Sequence, residues 1–289
     1  MKTPTRVIVL GAGGQFGRQI VNRLGDTGAW DVQAYERRQL DITDRDRLRQ
    51  AIVAGRPAWV VNAAAFTNVD ACESQADSAD RVNARAVADL AAISDESGAA
   101  LLHISTDYVF DGRSAVPYRE DDPPAPISTY GRSKMLGEQS ARHATRHLIV
   151  RAAWLYGPGG RNFIDAILAR AETGQPLRVV NDQRGNPSNA ADMAECVERL
   201  MRLDATGLYH IVNGGTTTRY ELACRAIELA GLSTPVEAVV TAAYPTPAAR
   251  PANSALDASK YETATGHQPR HWSLALAEYV VNRRAATAE

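Results

Sequence analysis

Apolar residues fall along the chain in short, nearly unbroken runs, separated by longer stretches in which they recur every three or four positions. The runs Arg6 to Leu10, Asp31 to Glu36, Trp59 to Asn62, Ala100 to Ser105 and Leu148 to Arg151 read as strands. All but the second lack in–out alternation, as a parallel sheet covered on both faces requires. Gln15 to Leu24, Arg45 to Ala54, Ala76 to Ser97 and Thr129 to His143 carry helical periodicity between them. This alternation predicts an α/β fold built on a doubly wound parallel sheet. After about Tyr156 the rhythm loosens into short mixed elements, punctuated by Pro187, Pro245, Pro247 and Pro251. The expected division is a dinucleotide-binding domain over residues 1–156 and a smaller mixed substrate-binding lobe over 157–289, with some later segments returning to the sheet.

The junctions carry the chemistry. The first strand runs into Gly11-Ala-Gly-Gly14-Gln-Phe-Gly17 and then a helix. Gly11 and Gly14 permit a tight turn and close approach of a pyrophosphate to backbone N–H groups, and Gly17 lets helix and strand pack closely. With Gln15 and Phe16 they form the candidate cofactor-binding turn of a Rossmann sheet. The second strand ends in Glu36-Arg37-Arg38, where a cofactor ribose is read. An acidic side chain there suits the free 2′-hydroxyl of NAD, and an arginine suits the 2′-phosphate of NADP. Both are present, and the two arginines favour NADPH, with NADH also accepted. Asp41 and Ile42 are placed to flank an adenine, and Ala63, Ala64 and Ala65 offer a flat, small-residue wall to the cofactor.

At the other end, the fourth strand closes on Ser105-Thr106-Asp107-Tyr108, and a helix opens with Tyr130-Gly-Arg-Ser-Lys134. Spacing of four places Tyr130 and Lys134 on one helix face, so the ammonium can favour the phenolate. With 10 tyrosines and only three lysines in 289 residues, such a pair arises by chance in about one such chain in ten, which favours a functional reading.

Composition removes competing classes. A 289-residue chain that is 45% hydrophobic can bury a full core, and its net charge of −1 gives no broad field for nucleic acid or an anionic membrane. There is no signal-like N-terminus and no membrane-length apolar run, so a cytoplasmic protein is expected. Cys72, Cys196 and Cys224 suggest neither disulfides nor a zinc ribbon. The pairs His143/His147 and His267/His271 have no flanking glutamate placed for metal-hydrolase chemistry, and no metal ligands are assigned.

Taken together, Gly11-xx-Gly14-xx-Gly17, Asn62-Ala-Ala-Ala, Ser105-Thr-Asp-Tyr-Val-Phe-Asp-Gly112 and Tyr130-xxx-Lys134 resemble the extended short-chain dehydrogenase/reductases and, among them, the dTDP-4-dehydrorhamnose reductase family. Leu40-Asp-Ile-Thr-Asp44, Arg151-Ala-Ala-Trp-Leu-Tyr-Gly157, Asn162-Phe163, Asp182-Gln-Arg-Gly-Asn-Pro187 and Arg250-Pro-Ala-Asn-Ser-Ala-Leu256 extend the likeness over nearly the whole chain. The resemblance implies reduction of a 4-keto sugar linked to a nucleotide. Thr106 and Tyr130 would hold the carbonyl oxygen and Tyr130 would give the proton. Lys134 would hold the nicotinamide ribose and lower the Tyr130 pKa. Asp107, Tyr108, Trp154, Asn162 and Arg250 would line the sugar-nucleotide pocket, with Arg250 meeting the diphosphate. It also implies a homodimer and, in some members, Mg²⁺ held by interface glutamates, to which no residue here is mapped. Phe66, Ala152, Ala153 and Ser188 depart from the usual pattern near the pocket and leave the exact sugar open. Two other readings stand beside it: a sugar-nucleotide epimerase or dehydratase, and a non-catalytic regulatory subunit like that of some methionine adenosyltransferases. Tyr108, where dehydratases carry a Thr-Asp-Glu glutamate, favours net reduction over elimination.

Overall fold

The computed structural model describes residues 3–288, with side chains as far as Arg283. The first half alternates strictly: β1 (Thr5–Leu10), α1 (Gln15–Asp26), β2 (Trp30–Tyr35), α2 (Arg45–Gly55) and β3 (Trp59–Asn62). Then come α3 (Val69–Ser74), α4 (Ala76–Asp80), α5 (Ala86–Ser97), β4 (Ala100–Thr106), α6 (Thr129–Ala141) and β5 (His147–Ala152). The second half contains β6 (Leu155–Tyr156), α7 (Phe163–Ala171), β7 (Leu177–Val180), β8 (Arg184–Gly185), β9 (Ser188–Asn189), α8 (Ala190–Arg202) and β10 (Gly207–His210). It ends with β11 (Thr217–Thr218), α9 (Arg219–Leu229), β12 (Val236–Val239), α10 (Ser259–Thr265) and α11 (Trp272–Ala288).

Six parallel strands form the central sheet in the order β10-β5-β4-β3-β1-β2. Alternate residues of one strand serve opposite faces. Val7, Val9, Val61, Leu102 and Val150 pack under α1 and α8, whereas Ile8, Leu10, Val60, Leu101 and Ile149 pack under α2 and α5. This double burial explains the unbroken apolar runs of the sequence. Strand β10 and helix α8, both from beyond residue 156, belong to this layer. A separate core joins α7, β7, α9 and α11 through Ile164, Leu168, Leu177, Leu222 and Leu276.

The expected helix Ala76 to Ser97 is interrupted. Residues Arg81–Arg85 form a π-helical turn between α4 and α5. The wider turn presents Asn83, whose side chain accepts from Phe66 N at 2.8 Å and donates to Phe66 O at 3.1 Å and Ser133 Oγ at 2.9 Å. One buried amide thus ties the segment after β3 to the helix carrying Tyr130. Such insertions recur where a regular helix would misplace a functional side chain.

Candidate active site

Strands β1 and β3 are neighbours, and the chain leaves them in opposite directions across the sheet, which opens a crevice at their carboxyl ends. A cleft of about 890 Å³ occupies it and runs on past β4. Gly11, Gly14, Gln15, Phe16, Glu36, Arg37, Asp41, Ile42 and Ala63 to Ala65 line one end.

The turn between β1 and α1 is built by backbone contacts. Gly11 has φ +76°, and a Cβ there would lie 2.6 Å from Ala64 N. A Cβ on Gly17, which does not reach the cleft, would lie 2.1 Å from Gly11 O. Helix α1 begins after Gly14 with no capping side chain, and its first residues, Gln15 and Phe16, line the cleft. Glycines that admit close approach, followed by an uncapped helix N-terminus, suit the pyrophosphate of a dinucleotide. At the rim, Arg37 pairs with Asp41 at 3.1 Å and Arg38 with Glu36 at 3.1 Å, both guanidinium groups largely exposed.

At the far end, Ser128 caps α6 by accepting from Gly131 N at 3.1 Å and sets the first turn that carries Tyr130. Thr106, at the end of β4, lines the cleft with Tyr130 and donates to Asp107 Oδ1 at 3.0 Å. The Tyr108 ring meets that of Tyr130 edge-on, with centroids 5.7 Å apart. Lys134 Nζ donates to Ile104 O at 2.6 Å and lies 3.4 Å from Nε2 of the buried His103. Burial lowers the Lys134 pKa to about 8, partly offset by Glu138. Burial also raises the Tyr130 pKa above that of an ordinary phenol, and the nearby Thr106 only partly opposes it. The expectation that Lys134 pulls the phenol downward is therefore corrected. Lys134 is engaged with β4, and desolvation of Tyr130 dominates.

Behind these groups lies a buried ion pair. Arg151 donates to both Glu138 oxygens at 2.8 and 2.7 Å, and Ser105 Oγ donates to Glu138 Oε1 at 2.5 Å. Glu138 lies one turn beyond Lys134, so this pair fastens α6 to β5.

Asp107, Tyr108 and Trp154 also line the cleft. Asp107 has one oxygen without a partner, and burial raises its pKa to about 6. Trp154 has φ +45°, and its indole N–H donates to Ser254 Oγ at 3.2 Å. Two expected pocket residues lie outside the lining. Asn162 caps α7, accepting from Asp165 N at 2.9 Å, and its amide N–H groups go to Gly157 O, Asp165 and Tyr279. Arg250 is held in a two-point pair with Asp70, at 2.9 Å for each contact. In their place stands Arg219, which sequence reasoning missed. It opens α9, lines the cleft and lies 3.6 Å over the Trp154 ring centroid. The sequence signal at that point, Thr218-x-x-Glu221, is only that of a helix cap. Among the described residues, no three His, Cys, Asp or Glu side chains gather as a cation site. No described helix is long and apolar enough to cross a membrane.

An open parallel sheet with a glycine turn at its switch point, and threonine, tyrosine and lysine converging on the same cleft, places the chain in a class. It is an oxidoreductase of the extended short-chain dehydrogenase/reductase type. Within that class the chain belongs to the family described as RmlD substrate binding domain, which it matches over residues 5–285. The spore coat polysaccharide biosynthesis protein SpsK of Bacillus subtilis (strain 168) is 43% identical over 283 residues, covering 98% of this chain and 99% of that protein. The dTDP-4-dehydrorhamnose reductase of Aggregatibacter actinomycetemcomitans is 37% identical over 284 residues, 94% of this chain and 97% of that protein. Among solved structures, dTDP-4-dehydrorhamnose reductase from Bacillus anthracis str. Ames in complex with NADP superposes with a TM-score of 0.94 at 33% identity, covering 97% of this chain and 100% of that one.

Proposed function

We propose that the chain reduces the 4-keto group of a nucleotide-activated deoxysugar with NADPH. The first substrate to test is dTDP-4-dehydro-L-rhamnose, which would give dTDP-L-rhamnose. The observation that carries this reading is the convergence of Thr106, Tyr130 and Lys134 on one cleft, with burial favouring the protonated phenol. Reduction of a ketone needs a proton at oxygen as hydride reaches carbon, and a protonated phenol is the form that can give it. The reductases among the relatives and the NADP of the Bacillus anthracis structure support the same reading. The similarity to SpsK leaves other sugars of this kind as candidates.

Each residue has a part. The Gly11–Gly17 turn and the start of α1 hold the pyrophosphate, Arg37 and Arg38 meet a 2′-phosphate at the rim, and Ala63 to Ala65 form the wall beside the cofactor. Reduced nicotinamide, when bound, supplies the hydride. Thr106 and Tyr130 orient the carbonyl oxygen, and Tyr130 passes it a proton. Lys134, charged below about pH 8, holds a ribose hydroxyl. Asp107 offers its unpartnered oxygen to a substrate hydroxyl. A cytoplasmic homodimer acting on a free small molecule completes the proposal.

Incubation of the purified chain with dTDP-4-keto-6-deoxy-L-mannose and either NADPH or NADH, following loss of reduced-nicotinamide absorbance and identifying the product, tests the reading. The expected result is turnover to the 4-hydroxy sugar, faster with NADPH. Cofactor binding without turnover of this or related 4-keto sugars would reject it in favour of a regulatory role.

A further inference from the structure

Arg219 stands in an electrostatically poor place. It is the first residue of α9, where the aligned amides already present positive charge and a cation is disfavoured. The helix amides are satisfied locally by the reciprocal capping box of Thr218 and Glu221, so the guanidinium has no role in closing the helix. It is covered by rings, 3.6 Å from the Trp154 centroid and 5.0 Å from that of Phe163. Burial holds its pKa below the ordinary arginine value. Tyr108 and Asp107 act on it electrostatically, yet no carboxylate among the described residues forms an ion pair with it. Desolvating a cation beside a helix N-terminus is unfavourable unless an anion arrives to meet it.

The other arginines near the cleft differ. Arg37 and Arg38 are paired at the cofactor rim, and Arg250 is occupied on both nitrogens by Asp70. Arg161 is exposed and follows Gly159 and Gly160, which lie against Arg18 and Gln15 beside the glycine turn. Arg219 alone of these sits among the substrate-end residues Trp154, Asp107 and Tyr108. A guanidinium stacked on an indole keeps its edge N–H groups in one plane, which suits two phosphate oxygens.

We infer that Arg219 is the anion-recognition residue of the substrate end: stacked on Trp154, it binds the diphosphate of the nucleotide-linked substrate. This rests on the reductase reading and refines it by moving the diphosphate contact from Arg250 to Arg219. It also makes Trp154 a support for the guanidinium.

The test compares unaltered protein with R219Q and R219K in two ways. Thymidine diphosphate is titrated calorimetrically into NADP-saturated protein, and KM and kcat are measured for the 4-keto sugar nucleotide. For R219Q, probe affinity should weaken and substrate KM rise by about tenfold to a hundredfold, the scale of lost charge-assisted hydrogen bonds. The NADPH KM should stay within about threefold, and R219K should recover part of the loss. R219Q binding the probe as well as the unaltered chain would overturn the inference. So would loss of NADPH affinity and kcat in step with KM, or failure of the unaltered chain to bind the probe. Tight, Arg219-dependent probe binding without turnover of any 4-keto sugar would uphold the arginine assignment and overturn the reductase reading instead.

Discussion

The two ends of the cleft are built in different ways. At the cofactor end, backbone packs against backbone: Gly11 against Ala64 and Gly17 against Gly11, all within the first three strands. At the substrate end, side chains from distant segments converge: Trp154 on Ser254, Arg219 on Trp154, and Asp70 on Arg250, which is 180 residues away in sequence. A backbone-built site tolerates almost no added atoms. A side-chain-built site can be retuned one residue at a time.

That contrast can be broken or sharpened by substitution. The largest effect is expected for Gly17→Ala. Its methyl group would lie within 2.1 Å of a backbone oxygen that cannot move without opening the turn. Destabilisation of about 3–5 kcal/mol in denaturant melts, with loss of NADPH binding, is expected. A loss no larger than that of a substrate-end variant would erase the distinction.

Next is Asp107→Asn. The folded-state pKa of Asp107 is about 6 against an ordinary value of 3.8. Well below pH 3.8 the carboxyl is protonated whether folded or not, and no penalty exists. As pH rises from 3.8 to about 6 the unfolded chain ionises while the folded carboxyl stays protonated, so the native protein loses about 3 kcal/mol relative to the Asn variant. Melts from pH 4 to 7 should show the variant gaining on the unaltered chain. Parallel curves would mean that Asp107 is not desolvated as described.

Lys134 gives a gentler signature. Its ammonium is lost as pH rises through about 8, so kcat/KM should fall by about tenfold for each pH unit above that value. A profile flat to pH 9 would remove Lys134 from the proton-holding set. The smallest effect is expected for Asp70→Asn, because the Asp70–Arg250 pair is partly exposed. About 1 kcal/mol of stability should be lost, with cofactor affinity unchanged.

The same contrast explains what could be read in advance. Strands β1 to β5 were legible to within about a residue, because burial on both faces leaves an apolar run in β1, β3, β4 and β5, while the edge strand β2 shows as an alternating run. The glycine turn and the Tyr130/Lys134 pair were legible because their partners lie within seven positions. Arg219 was not, since its partners Trp154 and Tyr108 lie on other elements and its local sequence reads only as a helix cap. The placements of Asn162 and Arg250 depended on neighbours, Tyr279 and Asp70, that no local pattern announces. The π-turn at Arg81–Arg85 likewise answers to a tertiary need, the reach of Asn83 to Phe66.

The central claim is net transfer of hydride from cofactor to a sugar ketone with Tyr130 as proton donor. It is tested most directly by a single turnover with NADPH deuterated at the transferable position, in the unaltered chain and in Tyr130→Phe. The account predicts one deuterium at C4 of the product and stoichiometric NADP. In Tyr130→Phe the rate should fall by about a hundredfold or more, with NADPH still bound. Sugar rearranged or dehydrated without net oxidation of NADPH, or a Tyr130→Phe variant as fast as the unaltered chain, would contradict it.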